Sequence, residues 1–321
     1  MHSFEQLSER FTHEFLGLNF PEEPSSLYQP NAYFLKLGGK RVRPVLCLMG
    51  NELFEEIIPD AWHAANAIEL FHNFTLIHDD IMDNAPLRRG MQTIHALYGA
   101  NTAMLSGDVM LVHAYENLNK VSGPILQPIL QVFNNTARKV CEGQQMDMDF
   151  EKTDQVNLEA YIKMIELKTS VLLAGSLKIG AILGGAGKRN QNLLYEFGKK
   201  LGIAFQIQDD YLDAFGDPEK FGKKQGGDIL ANKKTFLMIH AWQTASDMQL
   251  NTLKNLQNLD EAEKINTVLE IFKTCKVDEW ALQLKNKYLD DALSHLEDTA
   301  VLSKRKEPLF QLAQFLVKRE Y

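Results

Sequence analysis

The sequence predicts an all-α fold, a bundle of helices in a single domain. Three observations predict it. Apolar residues recur at three- and four-residue steps along most of the 321 residues, stretches of alternating β-branched residues are few, and Gly and Pro fall mostly between the periodic segments. No low-complexity linker divides the chain and no period of 20 to 50 residues repeats, so residues 1–321 are expected to form one domain. A hydrophobic fraction of 45% is enough to bury a large core.

The elements follow in order. PEEPSS at 21–26 separates a first short helix from a second, which ends at LKLGGKRVRP. Gly38 and Gly39 supply the helix stop, and Pro44 suits the first turn of the next helix. Further helices are expected at 42–55, 60–83, 101–119, 126–150, 157–168, 170–184, 191–215, 233–246, 261–273, 277–297 and 306–319. No strand is predicted. The most apolar stretch, Ser170 to Ala186, is interrupted by Lys178 and is shorter than the roughly 20 residues a membrane span needs, so no transmembrane segment is expected.

Composition narrows the function classes. The formal net charge is −8 and the basic residues form no long blocks, which excludes a nucleic-acid footprint. Cys47, Cys141 and Cys275 are odd in number, far apart and in no metal-ligand spacing; buried free thiols in a reducing compartment are expected, hence a cytoplasmic protein. MHSFEQLSERFTHEF has no basic region followed by an apolar stretch and does not read as a signal peptide.

Two short stretches share one pattern. LIHDDIMD at 76–83 and QIQDDYLD at 206–213 each end a long apolar helix. Residues i and i+4 lie on one helix face about 6 Å apart, so Asp79 with Asp83, and Asp209 with Asp213, form paired carboxylates. A single such pair reads equally well as a solvated acidic face. Two pairs in the same D-D-x-x-D order, at the ends of helices apolar on most sides, read instead as desolvated anions that need cations. Oxygen-only ligands select hard ions, and Mg²⁺ takes one or two carboxylates and completes its shell with water and phosphate oxygens. A metal-bound phosphate ester is the expected occupant.

Basic groups accompany them. GGKRVRP places Lys40, Arg41 and Arg43 at a helix start, where backbone N–H groups and the dipole also favour an anion. Arg88-Arg89-Gly90 follows the first acidic cluster, and His72 lies seven residues before Asp79 on nearly the same face. Lys168-Thr169 is expected between two helices, Gln206 precedes the second cluster, and Lys223 and Lys233 sit in FGKKQGGDILANKK. Each alone reads as a solvated charge or a core histidine. Together they exceed what one monophosphate needs. One diphosphate held through Mg²⁺ by the acidic clusters, and a second held without metal near Lys40, Arg43 and Arg89, account for the set. With an apolar interior, that suggests two phosphorylated hydrocarbons.

Over nearly its whole length the chain resembles the trans-isoprenyl diphosphate synthases, the family of farnesyl and geranylgeranyl diphosphate synthases. GGKRVRP, HNFTLIHDDIMDNAPLRRG, CEGQQMDMDF, LKTS, FQIQDDYLDAFGDPEKFGK and GDILANKKT carry the resemblance. It implies a single all-α domain with a central substrate cavity, a homodimer, and Mg²⁺-dependent head-to-tail condensation of isopentenyl diphosphate with a C5, C10 or C15 allylic diphosphate. Asp79, Asp83 and Asp209 match the Mg²⁺ ligands, with Asp80, Asp210 and Asp213 in support, and the resemblance implies three ions bridging the allylic diphosphate. Lys40, Arg43, His72 and Arg89 match the positions that bind isopentenyl diphosphate, and Arg88, Lys168, Thr169, Gln206, Lys223 and Lys233 those around the allylic diphosphate. The C-terminal FLVKREY only loosely matches the family's basic tail.

Product length is expected to depend on the residues before the first motif. A tail running toward the N-terminus of that helix meets Phe74 about 7 Å and Phe71 about 12 Å below Asp79, by helix rise. Thr75 is small and DDIMD has no insertion, which by the family's pattern favours a C20 product, geranylgeranyl diphosphate, over the C15 farnesyl product. A class I terpene cyclase would need no GGKRVRP or RRG, and a non-catalytic partner subunit would be expected to lose aspartates; none is missing here.

Overall fold

Local chemistry sets the helix ends in this computed structural model, which describes residues 1–153, 155–217 and 225–318. Helix α1 (Phe4–Phe15) opens with a reciprocal cap in which the Ser3 hydroxyl accepts from the Gln6 N–H while the Gln6 side chain accepts from the Ser3 N–H. Helix α2 (Ser25–Lys36) stops before Gly38, whose φ of 76° takes the left-handed conformation expected after a helix. Helix α3 (Val42–Glu52) carries Pro44 in its first turn. Then come α4 (Pro59–Met82), α5 (Ile94–Tyr98), α6 (Ala100–Leu118), α7 (Gly123–Lys152), α8 (Leu158–Ile165), α9 (Val171–Leu183) and α10 (Lys188–Phe215). The later helices are Gly227–Leu230, Phe236–Thr244, Asp247–Lys254, Glu261–Thr274, Val277–Glu297 and Ser303–Lys318.

The all-α expectation holds, with three corrections. Strand pairing, which the sequence did not predict, occurs among the described residues as one two-residue hairpin, β1 (Leu87–Arg88) with β2 (Met91–Gln92). The expected break at Lys168-Thr169 is a π-helical turn, Glu166–Ser170, that carries α8 on into α9. The three cysteines are free, but only Cys47 is buried; Cys141 is exposed and Cys275 half-buried.

The fold resolves into two compact units. The first comprises residues 1–137, 175–194 and 300–309. Its core takes Leu7, Phe11 and Phe15 from α1, an almost wholly buried α3, and residues from every side of α4. A Cβ on Gly180 would lie 2.0 Å from the Cys47 carbonyl oxygen, so α9 and α3 meet backbone to backbone. That contact explains the small, apolar composition of the 170–186 stretch: it is a tightly packed core helix. No helix among the described residues is long and apolar enough to cross a membrane.

The second unit comprises residues 138–174, 195–299 and 310–321. Tyr161, Ile165, Ile207, Phe236, Phe272 and Val277 are among its core residues, drawn from α8, α10 and the helices after residue 235. Caps from Thr235, Ser246 and Asp260 start three of those later helices.

Candidate active site

The first acidic motif closes α4. Asp79 is half-buried and Asp83 caps the helix in the open, while Asp80, 1% exposed, points into the protein. Its partner is Arg88, whose Nε lies 2.9 and 2.8 Å from the two carboxylate oxygens and whose Nη2 lies 2.7 Å from Oδ1. This forked contact neutralises a buried carboxylate.

Arg88 arrives there because RRG is built as a hairpin. Arg89 and Gly90 have φ of 55° and 77°, the doubly positive pair that a two-residue turn between right-twisted strands requires. The turn separates the two arginines: Arg88 faces Asp80, and Arg89 donates through Nη1 to the Gly38 carbonyl. The Arg89 guanidinium would lie 3.1 Å from a Cβ on Gly39, a tight contact, and the φ of 150° at Gly39 is one that L side chains rarely adopt. The two glycines of GGKRVRP thus do different work, one ending α2 and one admitting Arg89.

The three cations of GGKRVRP diverge. Arg41, 3% exposed, turns inward to ion-pair with Glu69, donates to the Leu35 carbonyl at 3.3 Å, and covers the Phe15 ring at 5.0 Å. It is a structural residue. Lys40 is exposed, and Arg43 reaches α4, where its Nη1 lies 3.0 Å from His72 Nε2. A guanidinium can only donate, so Nε2 accepts and the imidazole is neutral. Burial, then repulsion from Arg43 and Arg89, holds the His72 pKa well below its usual range. Burial also lowers the Arg43 pKa to about 10, against the attraction of Glu69, and Arg43 Nε is buried without an acceptor among the described residues. A buried N–H without an acceptor is costly, and an anion is one partner that would satisfy it.

The second motif closes α10 with the same text and other neighbours. Asp209 and Asp213 are half-buried; Asp210 is 5% exposed. The Tyr161 hydroxyl donates to Asp210 Oδ2, and Gln206 Nε2 donates to Oδ1 at 2.9 Å. Burial, then repulsion from Asp228, pushes the Asp210 carboxyl up to about 7, against the two hydrogen bonds and Lys233. Gln206 accepts in turn from the Thr169 hydroxyl at 3.2 Å. Asp213 accepts the Asp228 N–H at 3.0 Å, and Asp228 ion-pairs with Lys233 at 3.2 Å. Although burial opposes its charge, Lys233 is held more basic than usual by the Asp228 carboxylate.

Lys168 and Thr169 are displayed by the π-turn, a geometry found often at functional sites. A Cβ on Gly143 of α7 would lie 2.2 Å from the Lys168 backbone N, so the turn is pressed against bare backbone. Lys168 ion-pairs with Asp147. Asp147, Tyr161, Asp228 and Glu69 were not singled out from sequence. Asp147 lies inside CEGQQMDMDF, and Tyr161 lies two helical turns before Lys168, so spacing could have flagged both. Lys223 lies outside the described residues.

Below Asp79 on α4, Phe74 is half-buried with its ring 4.6 Å from His78 and 5.7 Å from Phe71. Phe71 is 1% exposed and meets Phe133 edge-on at 5.4 Å. The Thr75 hydroxyl donates back to the His72 carbonyl at 2.8 Å.

The donor set fits Mg²⁺. Each acidic turn offers two carboxylates one helical turn apart and keeps its middle aspartate for the protein. Among the described residues no three His, Cys, Asp or Glu side chains form a ready-made metal cage. Mg²⁺ is usually held by one or two carboxylates plus substrate phosphates, so a half-built, all-oxygen site is what its chemistry asks for.

An all-α fold, two D-D-x-x-D turns and a cationic cluster fit a helical transferase that acts on diphosphates. The polyprenyl synthetase family model matches residues 24–275. A geranylgeranyl diphosphate synthase of Methanosarcina mazei is 37% identical over 96% of this chain and 93% of its own length. A geranylfarnesyl diphosphate synthase of Natronomonas pharaonis is 33% identical over 94% and 92%. The crystal structure of a geranylgeranyl pyrophosphate synthetase from Pyrococcus horikoshii superposes with a TM-score of 0.92 at 32% identity, covering 98% of both chains. The chain belongs to the polyprenyl synthetase family and is a prenyltransferase.

Proposed function

We propose that the protein is a short-chain trans-isoprenyl diphosphate synthase that joins isopentenyl diphosphate head to tail (1′-4) to an allylic diphosphate and releases the C20 product, geranylgeranyl diphosphate. The observation that carries this reading is the Arg43–His72–Arg89 cluster. Three separate segments bring two guanidinium groups and a neutral imidazole together, with a buried N–H left to donate. A terpene cyclase has no use for a second, metal-free diphosphate site. The names of the relatives from Methanosarcina and Pyrococcus support the C20 product.

In this reading Lys40, Arg43, His72 and Arg89 bind isopentenyl diphosphate. Asp79, Asp83 and Asp209 hold Mg²⁺ for the allylic diphosphate, with Asp80, Asp210 and Asp213 positioning them. When bound, the metal neutralises charge on the departing diphosphate. Lys168, Thr169, Gln206, Lys233 and the free edge of Arg88 bind that same group, and Lys223 is assigned to it from sequence alone. The allylic C1–O bond breaks, the isopentenyl double bond attacks C1, and the proton lost from its C2 passes to the released diphosphate. Donors already fixed by the fold stabilise the developing anion without reorganising. Apolar walls exclude the water that would otherwise capture the carbocation. Phe74, the more accessible of the two phenylalanines, is the proposed floor, with Thr75 leaving room beside it and Phe71 behind it.

The proposal also takes the chain as one catalytic domain, 1–321, that forms a homodimer in the cytoplasm. For the dimer, Met104, Leu105, Val112 and Tyr115 on α6 are 49, 57, 56 and 38% exposed, an apolar stripe at helical spacing. For the location, all three cysteines are free. Incubation with labelled isopentenyl diphosphate and each of the C5, C10 and C15 primers, followed by chromatography of the dephosphorylated products, tests the function. C20 from all three primers is the expected result. A product ending at C15 overturns the chain length, and no condensation with any primer overturns the function.

A further inference from the structure

We propose that Tyr161 is a positioning residue for the reaction: it holds Asp210 so that the second acidic turn keeps its aim. This deepens the proposed function and rests on it. Asp210 is nearly inaccessible, and among the described residues no cation bonds to it. Both of its oxygens accept from neutral donors, the Tyr161 hydroxyl and the Gln206 amide. A phenol is a good fixed point because it has few rotatable bonds, and the Tyr161 ring packs 6.1 Å from Phe236.

The consequence follows from helix geometry. Asp210 sits directly after Asp209 and less than one turn before Asp213 in the last stretch of α10, so fixing its carboxylate fixes the rotation of that turn about the helix axis. Asp209 and Asp213 on that turn then keep one orientation. Tyr161 also lies two turns before Lys168 on the helix that continues into the π-turn. One side chain therefore ties the segment displaying Lys168 and Thr169 to the segment displaying Asp209. The chain Thr169 to Gln206 to Asp210 closes the same loop from the other end. A residue that merely filled the core would need the ring and not the hydroxyl.

Tyr161→Phe keeps the ring and deletes the donor. The Mg²⁺ concentration for half-maximal activity is expected to rise about tenfold, the factor that one hydrogen bond to a charged group is worth. KM for isopentenyl diphosphate, whose proposed ligands belong to the other unit, and the far-UV circular dichroism should stay at parent values. Calorimetric binding of Mg²⁺ with inorganic diphosphate should weaken by the same factor. Asp210→Ala, which removes the acceptor, should give a shift at least as large, and the double variant no more than Asp210→Ala alone, because both act through one bond. Phe236→Leu, which loosens the ring's packing but leaves the hydroxyl, should lower the melting temperature without moving the Mg²⁺ dependence. Parent-like Mg²⁺ dependence and calorimetric affinity in Tyr161→Phe, or additive shifts in the double variant, would overturn the proposal. Calorimetry needs no turnover, so absence of prenyl product from the parent enzyme would sink the proposed function and leave this test standing.

Discussion

At the end of α4 the buried Asp80 is gripped by the guanidinium of Arg88, which a hairpin turn delivers to it. At the end of α10 the buried Asp210 has the same place in the same D-D-x-x-D text, but its partners are a phenol and an amide. One carboxylate is balanced by charge, the other by neutral donors, and the second carries the cost: burial and Asp228 push it up to about 7. The difference teaches that a repeated motif specifies which carboxylates face outward, while the buried one is satisfied by whatever each neighbourhood supplies. The first motif borrows a cation from its own chain segment. Among the described residues near the second, Lys168 and Lys233 are paired with Asp147 and Asp228.

The largest effects should ignore this difference. Asp79→Ala and Asp209→Ala are each expected to lower kcat about a thousandfold with helical circular dichroism unchanged, as for loss of a group that stabilises developing charge. Steady-state turnover near the parent rate in either variant would break the equivalence of the two motifs. EDTA is expected to abolish turnover of the parent and excess Mg²⁺ to restore it; activity that survives the chelator would remove the metal from the scheme.

The middle aspartates should separate. Asp80→Asn is expected to cost about 2–3 kcal/mol in urea unfolding, less than a fully buried pair because the Arg88 side chain is 24% exposed. Asp210→Asn removes a buried charge and still accepts from Tyr161, so its stability should stay within about 1 kcal/mol of the parent or rise. Equal losses at the two positions would contradict the contrast drawn above.

A smaller effect belongs to the first unit alone. His72 has a lowered folded pKa, so between the usual histidine value and that folded value the unfolded chain binds the extra proton. Stability should therefore fall as pH drops below about 6.5, by up to about 1.4 kcal/mol per pH unit. His72→Gln should flatten that slope in thermal melts across pH 5 to 7, and an unchanged slope would show that His72 is not its source. The most local effect is on product length. Phe74→Ala should lengthen the product by at least one C5 unit in product chromatography, whereas Tyr161→Phe should leave the product distribution alone. An unaltered distribution in Phe74→Ala would move the floor elsewhere.

Much of the fold and of the site is legible in the sequence. The helix Val277–Glu297 has the bounds that periodicity and the flanking residues set, and α4 differs by one residue at each end, because amphipathic period and caps are local properties. The paired carboxylates can be read because i,i+4 spacing is fixed by the helix itself. The hairpin at 87–92 cannot, since its strands are two residues long and its signal is a pair of positive φ values, one of them on an arginine. Nor can the π-turn, which packs against Gly143, 25 residues away along the chain from Lys168.

The sequence by itself determined the helices, the two acidic turns and the cationic stretches, and through them the chemistry, because those depend on residue type and short-range spacing. Tertiary structure alone decided the roles within each stretch: that Arg41 turns inward to Glu69 while Arg43 meets His72, that Arg88 and Arg89 part company at a turn, and that Asp210 answers to Tyr161. Those assignments depend on which groups are buried together. Burial sets whether a charge must find a partner, and apart from Asp80 with Arg88 no short window of sequence contains both members of a pair.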